Sequence, residues 1–322
     1  KEGRTMKASL GRVAKRAYLL GVVVLVVAAV AVLAVACGMG SEVGDGGIVS
    51  TAQPSEAATP TEPSDTTSTT AAPSDTTTTS TTAVEDTMTV TVYFARGEKI
   101  AAASRVIPKT QQVGAAAMKA LLEGPTAVEK EGGMTTSVPE GTTFLDLEVQ
   151  NGIATINLSK EYSSGGGTLS MVMRLAQVVF TLTQFPTVEG VSFALDGVPI
   201  DVLGGEGIII DHPMTRADYE DLSPAILVES PTLGNTVSSP VRITGTANVF
   251  EAVFSVNIVN WDGLIIADEV VTATSGTGTR GTFDVTIPFK VDAAGLGGII
   301  VFAESPQDGS QIDVIEIPVE LE

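Results

Sequence analysis

The single cysteine of this 322-residue chain, Cys37, stands at the end of an unbroken apolar run over 17–36. Six basic residues and one acid precede the run, so the segment has the basic, apolar and small-residue regions of an export signal. One cysteine allows no disulfide within the chain. Any folded domain must therefore be held together by an ordinary hydrophobic core, although the oxidising environment outside the cell would permit disulfides.

The segment around Cys37 resembles the lipobox of bacterial lipoproteins, in which this thiol receives a diacylglycerol. The commonest lipobox has Leu three residues before the cysteine, whereas this chain has Ala34 there and Leu33 one step earlier. The alternative is a plain membrane-spanning helix, because twenty apolar residues are enough to cross a bilayer. Both interpretations place the rest of the chain on the outer face of the cytoplasmic membrane, since the positive flank stays inside.

The charge of the chain excludes some classes of partner. The formal net charge is −20, and the part after residue 36 holds 12 basic against 37 acidic residues. Nucleic acids and anionic lipid surfaces need clustered positive charge, so we expect no nucleic-acid partner. The membrane is reached only through the lipid on Cys37 or the N-terminal helix.

Residues 38–86 are rich in Thr, Ser and Pro, and between 50 and 82 they include no large apolar side chain. Such a segment buries too little surface to offset the entropy lost on ordering, so we predict a disordered linker. We therefore divide the chain into a signal or anchor (1–37), this linker (38–86) and two folded domains (87–222 and 223–322). The linker would let those domains extend from the membrane into the cell wall.

Residues 87–222 carry patterns of strands and helices in the order β-β-α-β-β-α-β-β. The alternation over 88–95 predicts a strand with one buried face. Asn151-Gly152 and Asp196-Gly197 are typical of tight hairpin turns, because these residues tolerate positive φ. The order predicts an α+β domain with helices on one face of a mostly antiparallel sheet. Its predicted helices span 111–123 and 169–184, and its other strands 100–107, 144–149, 153–158, 191–195 and 198–203. The second helix is expected to have one apolar face, formed by Leu169, Val172, Met173, Ala176, Val179 and Phe180.

Residues 223–322 show no helical period. Seven strand patterns separated by Gly, Pro, Asn and Asp predict an immunoglobulin-like β-sandwich. Trp261 precedes Asp262-Gly263, so we expect it beside a turn and outside the core. The predicted strands span 225–229, 241–247, 254–259, 264–272, 282–289, 299–303 and 312–320.

Two stretches resemble known bacterial families. Residues 87–222 resemble the GerMN domain of sporulation and germination lipoproteins through the segments 92–94, 105–108, 121–125, 138–142, 151–159, 176–186 and 195–197. Residues 225–321 look like the immunoglobulin-like domain of bacterial spore germination that often accompanies it, through Pro231 and the segments 239–240, 245–252 and 288–289. The resemblance implies contacts with other proteins, and it brings no catalytic residues.

The residues themselves offer little catalytic chemistry. His212 is the only histidine, so any Ser-His-Asp triad must use it, and one histidine without a second thiol makes no zinc set. Asp146 and Glu148 lie two apart on one face of a predicted strand, an arrangement that glycosidase chemistry can use, but a solvated face explains them better. The triple glycine at 165–167 precedes a helix without the Lys of a phosphate loop, so we interpret it as a flexible connection. We expect no enzyme activity, no cofactor and no metal.

Two residues of the sandwich are candidate partner contacts. Glu251 lies within an otherwise apolar run, and Trp261, beside Asp262-Gly263, is the one obvious aromatic candidate for a sugar contact. The leading hypothesis is a non-catalytic envelope lipoprotein that docks onto another envelope or sporulation-type assembly protein. The alternatives are peptidoglycan or glycan binding by the sandwich, with Trp261 as the sugar contact, and, ranked lower, a cell-wall hydrolase.

Overall fold

The computed structural model describes residues 86–205 and 207–322, which belong to one compact unit. The predicted signal or anchor with Cys37, and the predicted linker up to residue 85, lie outside the described residues. Every helix in the described ranges is too short or too polar to span a bilayer.

The described residues of the first domain form three helices and nine strands, which are the predicted elements together with one further helix and several short strands. The helices are α1 (Val113–Leu122), α2 (Ala127–Glu131) and α3 (Thr168–Leu182), with 3₁₀ turns at Lys160–Ser163 and Arg216–Leu222. The long strands are β1 (Thr87–Arg96), β2 (Lys99–Pro108), β4 (Phe144–Gln150), β5 (Ile153–Leu158) and β6 (Gly190–Leu195). The short strands are β3 (Met134–Thr135), β7 (Val198–Ile200), β8 (Val202–Leu203) and β9 (Ile208–Ile209).

These strands form separate sheets, which corrects the expectation of one sheet with helices on one face. The sheet orders are β2-β1-β3, β4-β5-β6-β7 and β8-β9. All pairings are antiparallel except that of β5 with β6, which flank α3 in the chain and are parallel. The α+β class is confirmed, but α3 contacts β1 of one sheet and β6 of another.

Helix α3 is consequently buried almost all round. Its residues from Met173 to Leu182 are all buried, whereas Leu169, expected on the apolar face, is 48% exposed. Strand β1 is buried on both faces in its second half, because Tyr93 packs edge-on against Phe180 of α3 at 5.4 Å. The expectation that β1 has one buried face is therefore wrong for that half.

Polar side chains of α3 complete the hydrogen bonding of β1. Strand β1 pairs with β2 along its whole length but with β3 only at its end. Gln184, just beyond α3, bonds both the N–H and the C=O of Thr91. The Thr181 hydroxyl accepts from the Tyr93 N–H at 3.2 Å, and the Gln177 amide donates to the Tyr93 carbonyl at 3.1 Å. From Thr91 onward this edge of β1 is therefore closed to a partner strand, since its backbone groups there are satisfied.

The two hairpin turns form as predicted. Asn151 and Gly152 have φ of 52° and 81°, and Asp196 and Gly197 have φ of 47° and 82°. These values match a turn that needs positive φ at both central residues. Helix α1 is followed by Gly124, whose φ is 78°.

The second domain is the predicted β-sandwich, and all seven predicted strands are present. One sheet has the order β10-β12-β15 and the other β11-β17-β16-β13-β14. Alternate residues of both sheets bury a second core, with Phe254 and Phe283 edge-on at 4.9 Å. The strands are β10 (Ile226–Ser230), β11 (Thr236–Val237), β12 (Val241–Ala247), β13 (Val253–Asn260), β14 (Ile265–Thr272), β15 (Gly281–Ile287), β16 (Gly295–Glu304) and β17 (Gln311–Leu321).

Candidate functional site

The two domains share an apolar contact. Leu227 of β10 is 2% exposed and belongs to the core of the first domain, and Leu233 packs against that core. A Cβ on Gly132, which follows α2, would lie 2.2 Å from Cδ1 of Leu233. The sandwich is thus packed onto the first domain and not merely linked to it.

A polar cluster at this junction joins β1, the 3₁₀ turn and β10. Arg216 donates to Glu229 at 2.7 Å and to the Tyr93 hydroxyl at 3.1 Å, and its guanidinium lies 4.8 Å from the ring centre of Phe180. Tyr93 donates its phenolic hydrogen to Glu229. Burial raises the pKa of the Tyr93 phenol, so this donor stays protonated. The cluster fixes the geometry between the domains.

A second ion pair lies at the end of the same 3₁₀ turn. Glu220 accepts from Arg280 at 2.8 Å and from Asn248 at 2.8 Å, both of the sandwich. Burial opposes ionisation of Glu220, but the hydrogen bonds from Arg280 and Asn248 outweigh it and lower its pKa. Arg280 also donates to the carbonyl of Pro224 at 2.8 Å, which holds the connecting chain.

The glycine loop before α3 is held in place by a buried arginine. Arg174 is 2% exposed and donates to the carbonyls of Tyr162, Ser164 and Gly165 at 2.7–3.0 Å. These hydrogen bonds tie the start of the loop to α3, and the flexibility expected of the glycines stays a prediction. In the period of the predicted helix Arg174 lies opposite the apolar face, so its burial and its backbone acceptors carry no signal in the sequence.

No catalytic constellation forms around His212. Its ring nitrogens lie 3.1 Å from Asp211 and 3.4 Å from Asp218, and these hydrogen bonds raise the pKa of the imidazole. Asp218 also accepts from the backbone N–H of Thr215 at 2.7 Å, so it caps the 3₁₀ turn. His212 is exposed and supports this cap.

Asp146 and Glu148 are both exposed on β4, in agreement with a solvated face. In the described ranges, no group of three or more His, Cys, Asp or Glu side chains is placed to hold a metal ion.

The two candidate contacts do not come together. Glu251 lies in the 3₁₀ turn Phe250–Ala252 before β13, and Trp261 follows the other end of that strand. Eight residues of strand separate them by roughly 25 Å. They belong to different surfaces of the sandwich.

The turn Phe250–Ala252 has an unusual backbone. Glu251 and Ala252 have φ of 55° and 60°, values that residues other than glycine rarely adopt. The Glu251 N–H donates to the Thr277 hydroxyl at 3.0 Å, and the Ala252 N–H to the Val249 carbonyl at 3.1 Å. Glu251 is exposed, as is 58% of Phe250. The exposure of Phe250 was not anticipated from the sequence.

Trp261 lies in the turn between β13 and β14 and is 78% exposed, as expected. Leu264 and Leu296, 61% and 65% exposed, line a cleft together with it. The sequence pattern did not reveal this cleft, because Leu296 comes from a different hairpin.

Two family models match the chain. Residues 91–201 match the Germane model, described as sporulation and spore germination. Residues 225–310 match the Gmad2 model, described as the immunoglobulin-like domain of bacterial spore germination. The chain therefore carries a GerMN domain followed by an immunoglobulin-like germination domain. None of the curated proteins matches it.

Some solved structures are similar to parts of this chain. A candidate lipoprotein from Clostridium perfringens is 25% identical, with 42% of this chain and 93% of that chain covered and a TM-score of 0.31. The first GerMN domain of the sporulation protein GerM from Bacillus subtilis is 20% identical, with 41% and 99% covered and a TM-score of 0.34. The tandem GerMN domains of the same protein are 17% identical, with 63% and 62% covered and a TM-score of 0.37.

Proposed function

We propose that this protein is a non-catalytic cell-envelope lipoprotein that docks onto another envelope or sporulation-type assembly protein. In this proposal Cys37 carries the lipid and anchors the chain to the outer face of the cytoplasmic membrane. Residues 38–86 act as the tether that carries the folded domains toward the cell wall. The two germination-type domains, neither with a catalytic constellation in the described ranges, support a role in binding.

The observation that carries the docking proposal is the strained turn Phe250–Ala252. Two consecutive residues in the left-handed region cost of order 1–3 kcal/mol each, and such strain is retained where the surrounding structure demands it. The turn presents an apolar ring beside a carboxylate, both exposed. We assign the partner contact to Phe250 and Glu251.

Photo-cross-linking in intact cells tests this assignment. A photoreactive residue at position 250 should capture one dominant envelope protein, and Glu251→Lys should reduce that capture. Position 270, where Val270 is 67% exposed on β14, is the matched control. Point substitutions are preferable because Leu227 of the sandwich lies in the first domain's core, so deleting a domain would also alter the contact between the two. Equal capture from both positions would contradict the docking assignment.

The lipid anchor needs its own test. The intact mass of the membrane-extracted protein should show cleavage before Cys37 and an added diacylglycerol, both lost in Cys37→Ser. An uncleaved chain of unmodified mass would instead establish the membrane-spanning alternative. Turnover of peptidoglycan fragments by the full chain would refute the non-catalytic role, most directly if Asp146→Asn abolished it.

A second candidate function is glycan binding by the sandwich. It is favoured by the 78% exposure of Trp261, because sugar sites commonly present an aromatic ring to solvent. Pelleting of the full chain with purified cell-wall material, compared with Trp261→Ala, tests this function at the level of the whole wall.

A further inference from the structure

The cleft beside Trp261 is smaller than a typical ligand pocket, but it lies at an exposed aromatic ring. It lies between the β13–β14 turn and the segment that joins β15 to β16, with a volume of about 200 Å³. Its lining combines apolar and polar side chains, which is usual for ligand sites. The lining includes Asn260, Trp261, Leu264, Lys290, Asp292 and Leu296.

The turn that carries Trp261 is held without help from its indole ring. The Asn260 side chain accepts from the Leu264 N–H at 2.8 Å, and the backbones of these two residues are also bonded at 3.0 Å. Gly263 takes the positive φ of 78° that the turn requires. The indole is therefore presented on a preorganised backbone while most of its apolar surface stays in water. Preorganisation lowers the entropy cost of binding.

The polar lining indicates which ligand fits. Lys290 is exposed and forms no ion pair within residues 86–205 and 207–322, although the chain as a whole is strongly acidic. Asp292 in the same cleft offers a carboxylate for hydroxyl hydrogens. An aromatic plane for the C–H face of a sugar ring, an acceptor for its hydroxyls and a cation for an acidic substituent thus lie together.

We propose that this cleft is a saccharide subsite for one pyranose that bears a carboxylate, with the sugar ring against Trp261 and the carboxylate at Lys290. This inference rests on the second candidate function and names its site and ligand class.

Trp261 is the only tryptophan of the chain, so its fluorescence reports on this site alone. The full chain, in a detergent without a sugar headgroup, is titrated with N-acetylmuramic acid and, as a matched neutral sugar, N-acetylglucosamine. We expect a saturable blue shift or quenching, with dissociation constants of the order of millimolar. The acidic sugar should bind about three- to tenfold more tightly, because its carboxylate gains a charge-assisted hydrogen bond at an exposed site.

Lys290→Gln should remove the preference for the acidic sugar and keep the fluorescence response. Lys130→Gln, on a helix of the first domain, is the matched control and should leave both constants unchanged. Trp261→Ala should abolish binding in saturation-transfer NMR while its circular dichroism stays that of the wild type, since the ring is exposed.

Three results would overturn the proposal. The first is the absence of a fluorescence response to either sugar at about 50 mM, which is well above the expected dissociation constants. The second is that Lys290→Gln prefers the acidic sugar as strongly as the wild type does. The third is a fluorescence shift that occurs only with anionic vesicles or with rising protein concentration. If pelleting with the cell wall depends on Trp261 but neither soluble sugar binds, the subsite proposal is wrong while wall binding by the sandwich is supported. None of these results tests docking through Phe250.

Discussion

Replacing Arg216 with methionine tests whether the junction cluster holds the two domains together. The substitution keeps an apolar stem and removes the donors that reach Glu229, the Tyr93 hydroxyl and the Phe180 carbonyl. Breaking a fully buried ion pair costs about 3–5 kcal/mol, because one charge is left without its partner. The side chains of Arg216 and Glu229 are 25% and 24% exposed, so water screens the remaining charge. We therefore expect a loss of about 2–3 kcal/mol.

Urea unfolding of the full chain, followed by far-ultraviolet circular dichroism, measures this loss by linear extrapolation. Arg242→Met is the matched control, because Arg242 pairs with Asp284 at 2.6 Å while 68% of its side chain is exposed. An exposed pair contributes about 0–1 kcal/mol. Combining Arg216→Met with Glu229→Gln should destabilise less than the sum of the two single changes, since the double variant has no uncompensated charge.

The reasoning is refuted if Arg216→Met costs no more than Arg242→Met. It is also refuted if the double variant is simply additive within about 0.5 kcal/mol, because neighbours that share a charge pair must couple.

Three further predictions concern stability. Gly245→Ala should cost about 2–3 kcal/mol in urea unfolding, because its Cβ would stand 2.0 Å from a backbone oxygen of β10; Gly205→Ala, with open space around it, should change stability by less than about 0.5 kcal/mol. Gln177→Leu should cost about 2–3 kcal/mol by leaving buried backbone groups of β1 and of the loop after β3 unpaired, and a loss below about 1 kcal/mol would show that water replaces the amide. The lowered pKa of Glu220 stabilises the fold above the ordinary glutamate pKa of about 4.3, and this contribution is lost as pH falls through the lower folded value. Glu220→Gln should therefore flatten the acid limb of the thermal midpoint below about pH 4.3, and an unchanged limb would contradict the assigned pKa.

The parts of the fold that sequence predicted well depend on neighbouring residues. Asn151-Gly152 and Asp196-Gly197 form their turns because each residue's own backbone preference permits positive φ. Seven of the eight strands of the sandwich follow from strand patterns broken by turn residues, and only the two-residue strand β11 was not predicted. The position of Trp261 beside a turn follows from the Asp-Gly pair after it.

The predictions that were wrong concern which surfaces of the helices and strands contact one another. The helical period of α3 predicts one apolar face, yet strands surround the helix and bury Arg174 and Gln177 as well. These two residues are polar because each satisfies specific backbone groups, of the loop before α3 or of β1. A one-dimensional pattern gives no indication of such partners.

The sequence by itself determined the α+β domain, the sandwich, the hairpin turns and the acidic character of the chain, because each follows from local backbone preference or from composition. The tertiary structure decided that α3 closes the edge of β1, as Gln184 does with Thr91 across 93 residues. It also decided that Arg216 joins the two domains and that Leu296 meets Trp261 at one cleft. Contacts between distant residues depend on how complete elements pack, and packing is settled only when the whole chain has folded.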